Sequence, residues 1–279
     1  MIYKNYLTTP TGRYCQIRDI SNEDYIILVK YLQAEDYQRF YEGLSEIAMR
    51  DIPDFDDCDI VEKCYIWLAM CMYSIRSTVE VICPNLGPQE IHIGLILNNI
   101  ESQYIANKTL DYQLSDNFVL TFAYPKSFSF DSGLPIIDYY SGLLKINGEL
   151  VTEEQKNVLR EKLPTKHISF IEGMMREGFR CEIDLFHGVP MNSMKVNAFG
   201  EGLIANVSGF YKMPLDVYYK LMYAVIRHLR MSYTDFMKIS HNESNILLKC
   251  VADENKQDKE ETNKGGVQTI GQMIQKHYD

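Results

Sequence analysis

The sequence predicts an α+β fold: an N-terminal β-hairpin and helices with a small antiparallel sheet, followed by a mostly helical C-terminal half. Three patterns carry that expectation. Apolar residues alternate at period two on either side of turn-forming runs at residues 6–17 and 78–93. Residues 60–75 are apolar at spacings of three and four. Beyond residue 150, successive segments open on helix-capping residues. With 279 residues, 46% hydrophobic and 24% charged, the chain can bury a sizeable core, and collagen-like, disordered and low-complexity classes are excluded.

Residues 2–20 read as a hairpin because Tyr6-Leu7 and Tyr14-Cys15-Gln16-Ile17 flank Thr8-Thr9-Pro10-Thr11-Gly12, a run of turn chemistry. Ser21 with Asp24 three residues on marks a capped helix start that continues through residues 25–32, and a second helix spans residues 36–49. Residues 51–57 are an acidic linker whose proline and carboxylates suit the start of the next helix. There Ile60, Cys64, Trp67 or Leu68, Cys71 and Ile75 form one stripe, widened by Met70 and Met72, which predicts a central core helix over 59–76.

Thr78-Val79-Glu80-Val81-Ile82 and Glu90-Ile91-His92-Ile93 predict a second hairpin about a turn at residues 84–88. A strand over residues 117–124 stops at Pro125; residues 126–134 read as a loop, and residues 136–146 fit helix and strand equally. Thr152-Glu153-Glu154-Gln155 is a capping box leading a helix that ends near Pro164, and another helix over 165–176 stops at Gly178. Alternation at Cys181, Ile183 and Leu185, broken by Gly188, Pro190, Gly200 and Gly202, predicts short strands and loops. After Pro214, the stripe Leu215, Tyr218, Met222, Val225, Leu229 predicts a helix, and Ser232 with Asp235 and Ser240 with Glu243 open two more. The expected organisation is an α+β domain over residues 1–150, a helix-rich domain over 151–252, and a tail over 253–279. In that tail an acidic disordered linker precedes an amphipathic helix, through Ile270, Met273 and Ile274, that docks on a partner.

The balance of 28 Lys+Arg against 38 Asp+Glu, a formal net charge of -10, repels nucleic acid and anionic lipid, so neither is an expected partner. No apolar run reaches signal-peptide length at the start or the ~20 residues of a membrane span later, so a cytosolic protein is expected. Seven scattered cysteines (15, 58, 64, 71, 83, 181, 250) read as reduced, mostly buried thiols. Histidines 92, 167, 187, 228, 241 and 277 offer no pair at ligand spacing, and Cys83 and Cys181 each stand without a second cysteine. Esterase, P-loop and dinucleotide-binding glycine motifs are missing from the sequence. Asp54, Asp56, Asp57 and Asp59 could be imagined as a cation site or a carboxylate dyad, but a solvated helix start that complements the macrodipole is favoured. Twenty tyrosines stand out; Tyr139-Tyr140 and Tyr218-Tyr219 mark either contact surfaces or half-buried core. No catalytic, cofactor-binding or metal-ligating residue is assigned, and no cofactor is expected.

The order of features resembles the baseplate hub family of T-even-type contractile-tailed phages, which groups a hub subunit with a hub assembly factor. Tyr6-Leu7-Thr8-Thr9-Pro10-Thr11-Gly12 with Ile17-Arg18 is similar to that family's opening hairpin, and Ser21-Asn22-Glu23-Asp24-Tyr25 to the acid-rich helix after it. Asp57 to Lys63 through Met72-Tyr73-Ser74-Ile75-Arg76-Ser77 resembles its helix closing on L-R-x-x-S, and Val81-Ile82-Cys83-Pro84 with Ile91-His92-Ile93 its C-P-x-C hairpin. Phe118-Val119-Leu120 with Tyr124-Pro125, the helix from Thr152 to Leu163-Pro164, and the closing helices at 218–229 and 240–243 continue the likeness to about residue 252. Relatives often pair cysteines in the hairpins; Cys83 and Cys181 do not, so no metal follows from the resemblance. The resemblance implies a non-enzymatic phage tail protein that acts in baseplate hub assembly or as a hub structural subunit. It would dock on other baseplate hub or central-spike proteins, in the host cytoplasm during assembly or in the tail baseplate of the virion. The alternatives are a protein-binding module of unrelated role and a divalent-cation-dependent enzyme using the aspartate cluster.

Overall fold

A computed structural model of the chain describes residues 4–83, 87–130, 135–180, 182–184, 195–197 and 207–261. The fold is α+β, with small antiparallel sheets and a helical C-terminal half. Strand β1 (Lys4–Thr8) pairs with β2 (Tyr14–Arg18), Tyr6 opposite Gln16 and Leu7 opposite Cys15. Alternation sends Leu7, Cys15 and Ile17 inward and leaves Tyr6 and Tyr14 outside. Gly12, at φ 83°, takes the left-handed step that closes the turn.

Helix α1 (Asn22–Gln33) starts at Ser21, whose hydroxyl accepts from the Asp24 amide at 3.1 Å. Helix α2 (Tyr37–Met49) is capped by Asp36, and a 3-10 turn (Phe55–Asp57) leads to α3 (Ile60–Ser74), capped by Asp59. The sequence predicts an apolar stripe on α3, yet the helix is buried all round except at Met72 and Tyr73. Helix α2, the following α4 (Ile93–Gln103) and the last helix of the chain all pack against it, and even Glu62 and Lys63 are enclosed, the first under the turn of the β1–β2 hairpin and the second against the Asp56 and Lys126 carbonyls.

The second hairpin is β3 (Thr78–Cys83) with β4 (Gly87–His92); residues 84–86 of its turn lie outside the described residues. Helix α4 follows at once and buries Ile93, Ile96, Leu97 and Ile100, a helix the sequence reading did not assign. Strands β5 (Leu110–Ser115) and β6 (Phe118–Phe122) enter a four-stranded antiparallel sheet with β9 (Leu143–Ile146) and β10 (Glu149–Leu150), in the order β10-β9-β6-β5. Within the expected loop, β7 (Phe128–Ser129) pairs with β8 (Ile136–Ile137). The ambiguous stretch after Pro135 thus resolves into a short strand, a 3-10 turn (Tyr139–Gly142) and β9.

Both capping-box hydrogen bonds predicted for Thr152 and Gln155 form at the start of α5 (Glu153–Lys162), and α6 (Thr165–Gly178) follows. A Cβ at Gly178 would clash with Leu110 Cδ1, so the end of α6 lies directly on β5. Strand β11 (Glu182–Asp184) pairs with β12 (Lys195–Asn197). Helices α7 (Leu215–Leu229), α8 (Tyr233–Lys238) and α9 (His241–Glu261) complete the described chain. The disordered linker expected from Asp253 is instead helical through Glu261, in keeping with the helix-forming Glu, Lys and Gln there and no glycine before Gly265. Residues 262–279, with the predicted terminal helix, lie outside the described residues. One apolar cluster runs from Leu7 in the first hairpin to Ala252 in α9.

Candidate functional site

Polar clusters at its turn and at its exit fix the first hairpin to the rest of the molecule, together with Arg18, which pairs with Asp51 at 2.6 Å. At its turn, the Thr9-Pro10-Thr11-Gly12-Arg13 loop closes over Glu62 in the first turn of α3. Glu62 Oε1 accepts from Thr9 Oγ1 and Thr11 Oγ1, each at 2.6 Å, and from Arg13 Nε at 3.3 Å. Arg13 also pairs with Asp54. A carboxylate at this depth is held by charge-assisted hydrogen bonds and by the N-terminal end of the helix dipole. Cys15 and Cys58 lie beside it, and burial, reinforced by the charge of Glu62, pushes their thiols up to about 11 and about 12. Both sulfurs stay protonated at neutral pH, the opposite of an activated nucleophile.

At the hairpin's exit, the chain is stitched to the C-terminal helices. The Asn22 amide donates to the Ile239 carbonyl at 3.1 Å and the His241 amide to the Ile20 carbonyl at 2.8 Å, across an isolated bridge between Ser21 and Ser240. The Asn22 side chain donates to the Phe236 carbonyl at 2.9 Å. Its Oδ1 accepts from Tyr218 Oη at 2.9 Å and faces His241 Nδ1 at 3.2 Å and Ser244 Oγ at 3.0 Å. Ser244 has one proton and a nearer acceptor, the His241 carbonyl at 2.8 Å. Tyr218 and His241 can therefore fill both Asn22 lone pairs, and because an amide oxygen only accepts, the His241 hydrogen bond requires the tautomer with its proton on Nδ1. The His241 ring stacks on Tyr25 at 3.8 Å, and its burial pushes the imidazole down to about 3.

Pinned at both ends, the hairpin turns a stacked pair, Tyr6 and Tyr14, to solvent. Their ring centroids are 5.6 Å apart and the two residues are 62% and 70% exposed. A second surface feature is a groove of about 360 Å³ between α2 and the segment after Pro125. Tyr41, Trp67, Phe128 and Phe130 form its aromatic wall, with Lys63 at its edge. The Lys63 ammonium donates to the Asp56 carbonyl at 3.1 Å and the Lys126 carbonyl at 2.8 Å, and burial pulls it below the ordinary lysine range.

The aspartate run favoured as a solvated helix start is divided by the fold. Asp56 and Asp57 are exposed and Asp54 pairs with Arg13. Asp59 is the exception to solvation: it caps α3 and accepts from Tyr104 Oη at 2.6 Å, in surroundings whose burial raises its carboxyl. No group of acids, histidines and cysteines able to hold a metal occurs among the described residues. Of the histidines, His92 caps α4 and His167 meets Tyr112 Oη at 2.7 Å, while His187 and His277 lie outside the described residues. Cys15, Cys58, Cys64 and Cys71 are free buried thiols and Cys250 is exposed; Cys181 lies outside the described residues. The tyrosine pairs split, with Tyr139 and Tyr218 buried, Tyr140 half-buried and Tyr219 exposed. Sequence reasoning missed Glu62, Asn22 and His241 as organising residues.

No protein-family model, curated protein or solved structure matches the chain.

Proposed function

We propose that this chain is a non-enzymatic phage tail protein that acts in baseplate hub assembly, or as a hub structural subunit, by docking on hub or central-spike proteins. The reading is supported by the order of hairpin, core helix, second hairpin and closing helices that resembles the hub family. The observation that carries the docking mechanism is the exposed Tyr6–Tyr14 pair on a hairpin held at both ends. Aromatic side chains on a rigid platform bury large area for little loss of conformational entropy, which is what recognition surfaces need. On this reading the protein works in the host cytoplasm during assembly, with the mature tail baseplate as its second location.

The test is size-exclusion chromatography of the purified full chain with purified hub subunits, followed by mass spectrometry of virions. A complex that Tyr6→Ala with Tyr14→Ala weakens is the expected result. Its absence from virions then assigns an assembly factor, and its presence at fixed stoichiometry a subunit. No complex with any hub or spike protein overturns the reading.

A further inference from the structure

A second surface lies far from the first in sequence and has a different chemistry. Helix α7 buries Tyr218, Leu221, Ala224 and Val225, so its opposite side faces solvent. On that side Tyr219, Tyr223 and Arg227 follow at spacings of four, with Lys220 beside them and Arg230 one turn on. Tyr223 is 62% exposed, and Tyr233 at the start of α8 is 54% exposed. Residues 207–240 carry Lys212, Lys220, Arg227, Arg230 and Lys238 against only Asp216 and Asp235, in a chain whose formal net charge is -10. Lys220 pairs with Asp216 at 3.1 Å, whereas Arg227 and Arg230 form no ion pair among the described residues.

Part of this has a local explanation, since Arg227 and His228 in the last turn of α7 complement the helix dipole. The dipole does not account for Lys220 near the first turn or for two tyrosines spread over the same face. Tyr and Arg are the residue types enriched at the centres of protein interfaces. We propose that the α7 face, centred on Tyr223 and Arg227, docks an acidic protein segment, whose carboxylates meet Arg227 and Arg230 while an apolar side chain packs on Tyr219 and Tyr223. Charge complementarity selects this occupant: the face carries Lys220, Arg227 and Arg230 against Asp216 alone. Nucleic acid is disfavoured because a long polyanion would meet the long-range repulsion of a chain of formal net charge -10. The inference does not rest on the hub reading and uses none of the hairpin residues.

The experiment measures fluorescence anisotropy of the full chain with a labelled Glu/Leu amphipathic peptide of about 18 residues. A single-stranded oligonucleotide of roughly 20 nucleotides serves as the rival polyanion. The expected result is salt-sensitive binding of the peptide and none of the oligonucleotide. Tyr223→Ala with Arg227→Glu should weaken the peptide ~10-fold or more, while Arg227→Lys retains most of the affinity and Lys162→Glu, away from the face, changes nothing. Circular dichroism checks that the surface variants fold. Absence of peptide binding, indifference to the Tyr223 and Arg227 changes, equal sensitivity to Lys162→Glu, or tighter binding of the oligonucleotide overturns the proposal. Peptide binding that survives Tyr6→Ala and Tyr14→Ala, in a chain that forms no hub complex, would remove the hub reading and leave this one standing.

Discussion

The two ends of the first hairpin are held by opposite chemistries. At the turn, one carboxylate gathers two hydroxyls and a guanidinium, and the outer member, Asp54, is 56% exposed at its side chain. At the exit, a neutral amide gathers a phenol, an imidazole and a backbone carbonyl, with every side chain buried. A charged clip next to water can lose a member and be partly rehydrated. A neutral network sealed in the core cannot, because each orphaned group keeps its full desolvation cost. The Asn22 network should therefore be the more fragile tie, even though Arg18 pairs with Asp51 at the same end of the hairpin.

The largest effect is expected from Asn22→Ala. It takes the shared acceptor Asn22 Oδ1 from Tyr218 Oη and His241 Nδ1, removes the donor to the Phe236 carbonyl, and leaves a void where α1 meets α7, α8 and α9. Three buried polar groups at ~1–3 kcal/mol each give a loss of about 5 kcal/mol. For a chain of this size the melting temperature should fall by roughly 10 °C or more, readable by calorimetry. A loss no larger than that of an average surface substitution would show that the network is replaceable and would erase the contrast between the two ends.

Acid separates the ends next. The His241 imidazole lies at about 3 in the folded protein through burial, against 6.5 as its ordinary value. Because the unfolded chain takes the proton first, stability is full above pH 6.5 and is lost as the pH falls toward 3. By pH 4 the loss from this one residue is about 3 kcal/mol. Burial raises the carboxyl of nearby Asp19, which opposes the trend: its contribution is present at low pH and fades as the pH rises through the raised value. Urea unfolding at pH 7 and pH 4 should show the loss, and His241→Gln should flatten the profile while lowering stability at pH 7. A slope unchanged by that substitution would locate the acid sensitivity elsewhere.

Much of this framework was legible in the sequence, and the misses follow a physical pattern. Local signals worked: Thr-Pro-Thr-Gly for the first turn, Ser21 with Asp24, Thr152 with Gln155, and the apolar spacing of α3 and α7. Helix α4 escapes a local reading because it follows β4 directly with no Ser, Thr, Asp or Asn cap before it and with Gly94 inside its first turn, so its apolar residues continue the strand pattern. The end of α9 was misjudged because low hydrophobicity resembles disorder even where helix propensity is high. The two clusters were invisible for a different reason. Glu62 meets Thr9 across 53 positions and Asn22 meets Tyr218 across 196, so neither shows up in a local window. Read alone, Glu62 is an acid in a first helical turn and Asn22 a polar residue after a cap.

Glu62→Gln is expected to have the smallest effect of the three. The amide keeps the length of the side chain and one acceptor oxygen, so Thr9 and Thr11 can still donate; what disappears is the negative charge facing Arg13. Hydrogen bonds to a charged acceptor are worth ~1.5–3 kcal/mol against about 1 for neutral ones, and Arg13 keeps Asp54, so the net loss should be about 2 kcal/mol. The thiols give an independent reading of the same substitution. Glu62 adds to burial in raising Cys15 and Cys58, so its removal should lower both and speed their slow alkylation in the native protein at high pH. A Glu62→Gln variant that loses more stability than Asn22→Ala would reverse the ranking and make charge, rather than sealed neutral packing, the stronger tie on the hairpin. A variant with unchanged thiol reactivity would show that burial alone keeps those sulfurs protonated, leaving Glu62 only the task of closing the Thr9-to-Arg13 loop.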